Sequence, residues 1–463
     1  MAILGRARPF IIDKKVRTRV FSIALPIFIG MVIGVCALFV PPLYLAFGVA
    51  GLLFAYLVFF KIEIAIIIAL LIQNQLTRFN YMGGGTPFHP NGLMGLALIA
   101  GAAFYFLTHK IDFSRLKPIG GFLAFIGIGI LTLVNAGTYL MDGVTIALRL
   151  LTAFSIYAVL MHKLDSIKKV KWVIGVIIAA QIIPTVSGLL IVAGRTGLFF
   201  TDDTMRLGNS GVGVYMAIVS ILCVVFFLSS KTNSERLLWG ALTAIFLVAL
   251  FYSFGRSGWI GFALALFLMS MIRFKRLIFI IPLLLILVVL LVPGISERFS
   301  DISFSGQISS GDSTLSQRVE YWQAALTVFQ AHPVLGVGLG VGRYRVGDFL
   351  GQYSMMIHND YVSVLLETGV IGFIVFLVWH YQWLVGLFKA YRGATKSYDK
   401  TITLAVLIAL VSIMVMRVTD NILLDSYDMY PICAMIAATL SIYRIRQSEV
   451  SRALESPVES AAQ

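Results

Sequence analysis

The pair His358-Asn359, followed by Gly369 and Gly372, is the sharpest chemical pattern in this chain. A histidine is the usual general base near neutral pH. On one continuous helix the two glycines, eleven and fourteen residues further on, would lie close to the face of His358 and form one stripe. Glycines in such a stripe would admit another helix or a lipid chain. A histidine that caps a helix above packing glycines is the alternative that the spacing leaves open.

Three arginines lie at or within apolar stretches, where an ionisable group points to function. Arg256 begins one stretch within the sequence SFGRSG, and Arg206 precedes another. At a helix start, the guanidinium and the backbone N–H groups can bind one anion together. Arg149 lies about two helical turns inside a third stretch. The alternatives are snorkelling to the membrane surface for Arg256 and an ion pair with Asp142 for Arg149.

Residues 314–330 carry apolar side chains at helical spacing, which predicts an amphipathic helix that presents Arg318. The glycine-rich sequence HPVLGVGLG follows and contains Gly336 and Gly338. It lacks the Gly-Lys-Ser/Thr that completes a phosphate loop, so we exclude a nucleotide site. A flexible joint and a direct contact with a ligand stay open for these glycines. A second short helix is predicted over 343–353.

Membrane spans are the elements that must hold these residues in place. Of the 463 residues, 59% are hydrophobic and 13% are charged, which excludes an ordinary soluble domain. A helix needs about 20 apolar residues to cross the hydrocarbon core. We therefore predict an all-α, polytopic integral membrane protein with 12–14 transmembrane helices. The candidate spans are 20–40, 41–60, 62–76, 92–108, 118–135, 143–162, 171–194, 211–230, 237–254, 257–272, 277–293, 361–388, 401–418 and 429–443.

The net charge of +14 orients these spans. A basic balance is typical of a nucleic-acid partner or of a membrane protein whose cytoplasmic loops hold its lysines. All 14 lysines fall in the N-terminal tail or in the loops of one side, and the ten basic residues of the other segments are all arginine. This bias predicts cytoplasmic termini and no nucleic-acid partner. The arginines of the outer side predict an anionic ligand there, and pairing with outer acids is the alternative.

The spans divide the chain into five predicted segments. Residues 1–19 and 444–463 are cytoplasmic tails, and we expect disorder at both ends. An N-terminal transmembrane bundle covers 20–293, a periplasmic loop with amphipathic helices covers 294–360, and the C-terminal transmembrane helices cover 361–443. The three cysteines lie in apolar spans and indicate small buried side chains rather than disulfides. We predict no metal and no cofactor, with a cation on the outer aspartates as the alternative.

Together, these features resemble the bacterial O-antigen ligase family. The resemblance rests on the many spans, the long periplasmic loop late in the chain, Arg318 with HPVLGVGLG, the RSG at Arg256, and His358-Asn359-x9-Gly369-x2-Gly372. The specific motifs lie between about 206 and 372. O-antigen polymerases and O-linked protein oligosaccharyltransferases look similar in the HPVLGVGLG stretch.

The resemblance implies a GT-C-like glycosyltransferase of the bacterial inner membrane whose active site faces the periplasm. It would transfer a glycan from undecaprenyl pyrophosphate to a sugar hydroxyl of lipid A-core in lipopolysaccharide biosynthesis, with inversion and without a metal. His358 would be the catalytic base. The pyrophosphate would bind to Arg256, Arg318, Arg206 and Arg149. The supporting residues would be Asn359, Gly369, Gly372, Gly336 and Gly338.

Two other functions stay open. An O-antigen polymerase or an O-linked protein oligosaccharyltransferase would use the same donor with a different acceptor. A polyprenyl-lipid transporter would bind the same lipid pyrophosphate without chemistry. A transporter is expected to place its polar groups near the bilayer midplane. Here the polar groups crowd the outer ends of the spans, with Arg149 as the main exception, which favours outward-facing chemistry.

Overall fold

The computed structural model describes residues 42–76, 89–192, 210–253, 255–279 and 315–460. Within these ranges every regular element is helical, so the predicted all-α class is confirmed. Seven helical segments there are long and apolar enough to cross a membrane, and the chain is a polytopic membrane protein. The described α-helices are α1 (Pro42–Phe60), α2 (Ile62–Leu76), α3 (Pro90–Thr108), α4 (Gly120–Thr132), α5 (Leu140–Lys163), α6 (Ile167–Ala179), α7 (Ile182–Val192), α8 (Ser210–Ser229), α9 (Asn233–Tyr252), α10 (Arg256–Ile272), α11 (Leu315–Ala331), α12 (Gly342–Leu350), α13 (Asp360–Gly393), α14 (Ser397–Met416) and α15 (Ser426–Ser460).

The predicted apolar stretches coincide with these helices wherever the structure describes them. The stretch 20–40 and most of 277–293 lie outside the described residues, so the number of crossings stays a prediction. The stretch 171–194 is divided into α6 and α7, because Pro184 has no N–H to bond with the carbonyl of Ala180. The disorder predicted for the C-terminal tail is wrong as far as Ser460, where α15 ends.

The two helices predicted within residues 294–360 are confirmed as α11 and α12. The predicted tail 1–19 lies outside the described residues. Contacts divide the chain into two units, Met1–Lys61 and Ile62–Gln463. In the first unit, the described helix is α1. In the second unit, α5 packs against α3 and α15, α13 packs against α4 and α14, and α8 packs against α9, α10 and α14.

The predicted outer and inner segments gather at opposite ends of the second unit. At one end, Tyr139 donates a hydrogen bond of 2.8 Å to Asp348, which joins two segments predicted to be periplasmic. At the other end, Arg446 pairs with Asp399 at 2.6 Å, which joins two segments predicted to be cytoplasmic. Each of these contacts joins two segments that the charge pattern assigns to the same side. Which side of the membrane each end faces stays a prediction.

Helix α13 is broken at Gly369, whose φ of 66° and ψ of −173° are not helical. The segment 332–341 fills the break, and the Val370 N–H donates to the carbonyl of Pro333 at 2.9 Å. A Cβ at position 369 would lie 2.1 Å from the Val334 carbonyl oxygen. Glycine is needed here both for its positive φ and for this close approach of two backbones.

The single helical stripe predicted for His358, Gly369 and Gly372 is therefore wrong. His358 lies before the helix, because the Asn359 side chain caps α13 by accepting from two backbone N–H groups. The helix then breaks at Gly369. An added Cβ at Gly372 would lie 2.2 Å from the side chain of Thr368, so this glycine serves packing inside the bundle.

Gly336 and Gly338 form a packed turn rather than the flexible joint considered above. Both have positive φ, and Gly338 donates its N–H to the Glu367 carbonyl of α13 at 3.0 Å. The buried Glu367 carboxylate accepts from the N–H groups of Gly340 at 2.8 Å and Gly342 at 3.2 Å. It therefore holds the start of α12, where a negative charge is favourable.

Candidate active site

The loop between α14 and α15, residues 417–425, brings the predicted site residues together. The side chain of Asn421 accepts a hydrogen bond of 3.1 Å from the Asn359 N–H. The carbonyl of Thr419 accepts one of 2.8 Å from Arg318. The carbonyl of Leu424 accepts one of 3.2 Å from Arg149. Residues more than 200 positions apart in sequence therefore meet on one short loop.

His358 lies half-buried between two fixed neighbours. Trp322 of α11 donates its indole N–H to the Ile357 carbonyl at 2.8 Å, and Asn359 is held by Asn421. Among the described residues other than glycine, His358 alone has positive φ, at 52°. Such a conformation persists only where the surroundings impose it, and it occurs at functional sites. The backbone therefore points the imidazole in a direction that a regular helix start would not give.

Arg256 reaches the same loop through its neighbour Ser257. The Ser257 hydroxyl donates to the buried Asp420 carboxylate at 2.9 Å. Burial raises the pKa of Asp420, while the Ser257 hydroxyl, the Asn421 N–H and the charge of Arg318 act in the opposite direction. The start of α10, where Arg256 lies half-buried, is thus fixed beside Arg318. Two guanidinium groups and a helix N-terminus can hold one multiply charged anion.

Arg417 has a structural role. From the charge pattern alone it could not be told apart from the arginines predicted to bind an anionic ligand. It is fully buried, and its guanidinium lies 3.6 Å from the Asp360 carboxylate. Asp360 also accepts from the N–H groups of Ile422 and Leu423 at 3.1 and 2.9 Å. This pair therefore anchors the residue after Asn359 to the 417–425 loop. For Arg417, the alternative of pairing with an outer acid is the one that the structure shows.

Arg149 lines a cleft of about 360 Å³, within the size range of small ligand sites. Asp142, the partner considered for Arg149, lies 3.6 Å from Arg343 and accepts a hydrogen bond of 2.6 Å from the Tyr344 hydroxyl. The cleft borders Ile357, the residue before His358. Its polar lining residues are His89, Asp142, Thr145, Arg149, Arg343, Tyr344, Ser363, Glu367, Asn421 and Asp425.

Sequence reasoning missed His89, Arg343 and Glu367. His89 caps α3, and its Nδ1 accepts the Gly92 N–H at 3.0 Å. Because Nδ1 accepts this hydrogen bond, the neutral imidazole carries its proton on Nε2. Burial and the charge of Arg149 lower the pKa of His89. Glu367 did carry a signal, since an acid inside an apolar stretch points to function. Nothing in the local sequence marks Arg343.

The structure thus gathers His358, Asn359, Arg256, Arg318 and Arg149 around one loop. Arg206 lies outside the described residues. Three of the predicted supporting glycines lie where the 332–341 segment packs against α13, namely Gly336, Gly338 and Gly369. Within the described residues no three His, Cys, Asp or Glu side chains are grouped as metal ligands. The absence of a required metal stays a prediction.

Comparison with known proteins agrees with the motifs. Residues 241–377 match the family model described as O-Antigen ligase, a range that includes Arg256, Arg318, His358 and Gly369. A protein of Rickettsia conorii named "Putative polysaccharide ligase" is 24% identical over 201 residues, 41% of this chain. The chain spans about half the length of that relative, 48% of it. The match over residues 241–377 confirms the resemblance to the O-antigen ligase family that was drawn from the sequence motifs.

Proposed function

We propose that the protein is an O-antigen ligase of the bacterial inner membrane, which transfers a glycan from undecaprenyl pyrophosphate to a sugar hydroxyl of lipid A-core. The family domain and the similar polysaccharide ligase support an enzyme that joins glycans. One observation carries the finer proposal. The 417–425 loop holds the helix start with Arg256, then Arg318, and then the pair His358-Asn359.

These residues supply the two functions that glycan transfer from a lipid pyrophosphate needs. His358 takes the proton of the acceptor hydroxyl as its oxygen attacks C1 of the donor sugar. The bond between C1 and the phosphate oxygen breaks, and the lipid pyrophosphate leaves with the electron pair. Because attack comes from the side opposite the leaving group, the anomeric centre is inverted. Arg256 and Arg318 stabilise the charge that builds on the pyrophosphate, and no metal is required.

The remaining features fit this function. The site residues lie at one end of the bundle, which supports outward-facing chemistry over a transporter with its site near the midplane. We place this end in the periplasm and both termini in the cytoplasm, because the charge pattern assigns the lysines to the other side of the membrane. Arg206 is proposed as a further pyrophosphate ligand. Arg149, the fourth arginine predicted for that role, contacts the other end of the 417–425 loop.

Reconstitution tests the proposal. The purified protein is mixed in liposomes with undecaprenyl pyrophosphate-linked glycan and either lipid A-core or a pilin-like protein. We expect glycan transfer to lipid A-core, detected as a mass increase, and none to the protein acceptor. Transfer to the protein acceptor alone would identify an oligosaccharyltransferase. Elongation of the donor glycan itself would identify a polymerase. Loss of all transfer in EDTA would overturn metal independence.

A further inference from the structure

Arg318 and Arg149 contact opposite ends of the 417–425 loop. Arg318 binds at Thr419, and the start of α10 binds at Asp420. Arg149 binds at Leu424 and lines the cleft together with Arg343, whereas neither Arg256 nor Arg318 lines it. Asn359 is held at Asn421, between these positions. His358 therefore lies between two separate polar sites.

The charges of the cleft do not suit a pyrophosphate. Its lining holds two arginines and three carboxylates, those of Asp142, Glu367 and Asp425. Arg343 is already paired with Asp142 at 3.6 Å. A pyrophosphate would therefore meet as much negative as positive charge there. A sugar is neutral and carries many hydroxyl groups, each of which donates one hydrogen bond and accepts others.

The cleft supplies both kinds of partner for a sugar at short range. Asp142 offers carboxylate oxygens, Arg343 offers N–H groups, and the Tyr344 hydroxyl bridges them at 2.6 and 2.5 Å. Ile357 lies in the wall of the cleft next to His358. The proposed base is therefore the residue that directly follows a residue of the cleft wall.

We propose that this cleft binds the acceptor sugar, while the pyrophosphate binds across His358 at Arg256 and Arg318. This inference rests on the proposed function, because an inverting displacement needs the nucleophile and the leaving group on opposite sides of the reacting carbon. The acceptor oxygen forms the new bond to C1 and gives its proton to His358. The leaving pyrophosphate takes the electron pair toward Arg256. Arg149 then contacts the acceptor and not the pyrophosphate, which revises its assignment from sequence.

Kinetics of two single-atom variants test the assignment. Tyr344→Phe removes one hydroxyl from the cleft. Its matched control is Tyr139→Phe, whose ring stacks on Tyr344 at 4.6 Å but whose hydroxyl bonds Asp348 outside the cleft. We expect Tyr344→Phe to raise KM for lipid A-core by about threefold to tenfold, as for loss of one hydrogen bond between neutral groups. Its KM for the donor is expected to stay unchanged, and Tyr139→Phe to match the parent protein. Arg256→Lys is expected to show the reverse pattern, with a raised KM for the donor.

A second measurement needs no turnover. Calorimetry with the delipidated core oligosaccharide measures binding to the full-length protein in detergent, in the parent and in the two tyrosine variants. Loss of binding in Tyr344→Phe alone supports the assignment. Equal binding by all three proteins overturns it, as does a raised donor KM with an unchanged acceptor KM. If the parent protein binds the oligosaccharide but transfers nothing to lipid A-core, the proposed function fails while the sugar site stands.

Discussion

At the scale of single residues, His358 is distinguished both by the conformation of its backbone and by the chemistry of its imidazole. Its φ of 52° lies in the left-handed region, which costs most residues about 1–2 kcal/mol and costs Asn less. Trp322 and Asn421 hold the residues on either side of it. A substitution at this position therefore changes two things, the chemistry and the cost of the conformation, unless the new residue tolerates positive φ.

We predict that His358→Asn abolishes transfer while the protein keeps its stability and its affinity for the donor. Asparagine accepts the left-handed conformation but cannot act as a base, so the rate should fall by about 10²–10⁴. The rate of transfer and donor binding are measured on the same preparation. The matched control is His332→Asn at the exposed end of α11, which should transfer normally. Normal transfer by His358→Asn would remove the general base from the mechanism.

At the scale of elements, the sequence predicted helices better than their interruptions. Apolar runs and the spacing around Arg318 were sufficient to locate the helices, since both depend on local sequence. The break at Gly369 depends on the 332–341 segment, which packs against α13 across about 30 residues of sequence. The 417–425 loop likewise gathers partners from four helices. Periodicity within one helix cannot report such contacts, which is why the single stripe was wrong and the cleft was missed.

We predict that Gly369→Ala destabilises the protein much more than Gly351→Ala. Both glycines have a positive φ, of 66° and 70°, but their ψ angles differ. Gly351, with ψ of 28°, is left-handed helical, where alanine costs about 1–2 kcal/mol. Gly369, with ψ of −173°, lies in a region that essentially only glycine adopts, so its conformational cost is higher. Only at Gly369 would the new methyl group meet backbone, since Gly351 has open space around it. Thermal unfolding in detergent compares the two variants. Equal melting temperatures would mean that the 332–341 segment can move away from α13.

At the scale of the whole molecule, the charge pattern separates segments that contain lysine from segments whose basic residues are all arginine. The sequence predicted this division because the bias between lysine and arginine accumulates over many loops. It could not predict which arginines bind ligands. Arg417 and Arg343 pair with acids, at 3.6 Å in each case, whereas the start of α10 carries Arg256 toward the loop through Ser257. Whether an arginine pairs with an acid depends on how helices distant in sequence pack together.

We predict that the His358 end faces the periplasm. Tyr353→Cys and Lys396→Cys place a thiol on exposed positions at the two ends, and Cys223 and Cys433 are buried in the parent protein. A membrane-impermeant maleimide should label Tyr353→Cys in intact spheroplasts and Lys396→Cys only after lysis. The unsubstituted protein gives the background. The opposite pattern would reverse the orientation and place the site in the cytoplasm.

The break in α13 also determines which part of the protein can move. The carbonyls of Leu366 and Glu367 bond to the N–H groups of Val337 and Gly338, so the 332–341 segment replaces the missing helical hydrogen bonds. Lifting that segment would leave polar backbone without partners inside an apolar bundle, which costs several kcal/mol for each group. The segment is thus a fixed wall, and substrates must enter by another route. In chimeras with proteins that match the same family model, the segment and the first half of α13 should be exchanged as one piece.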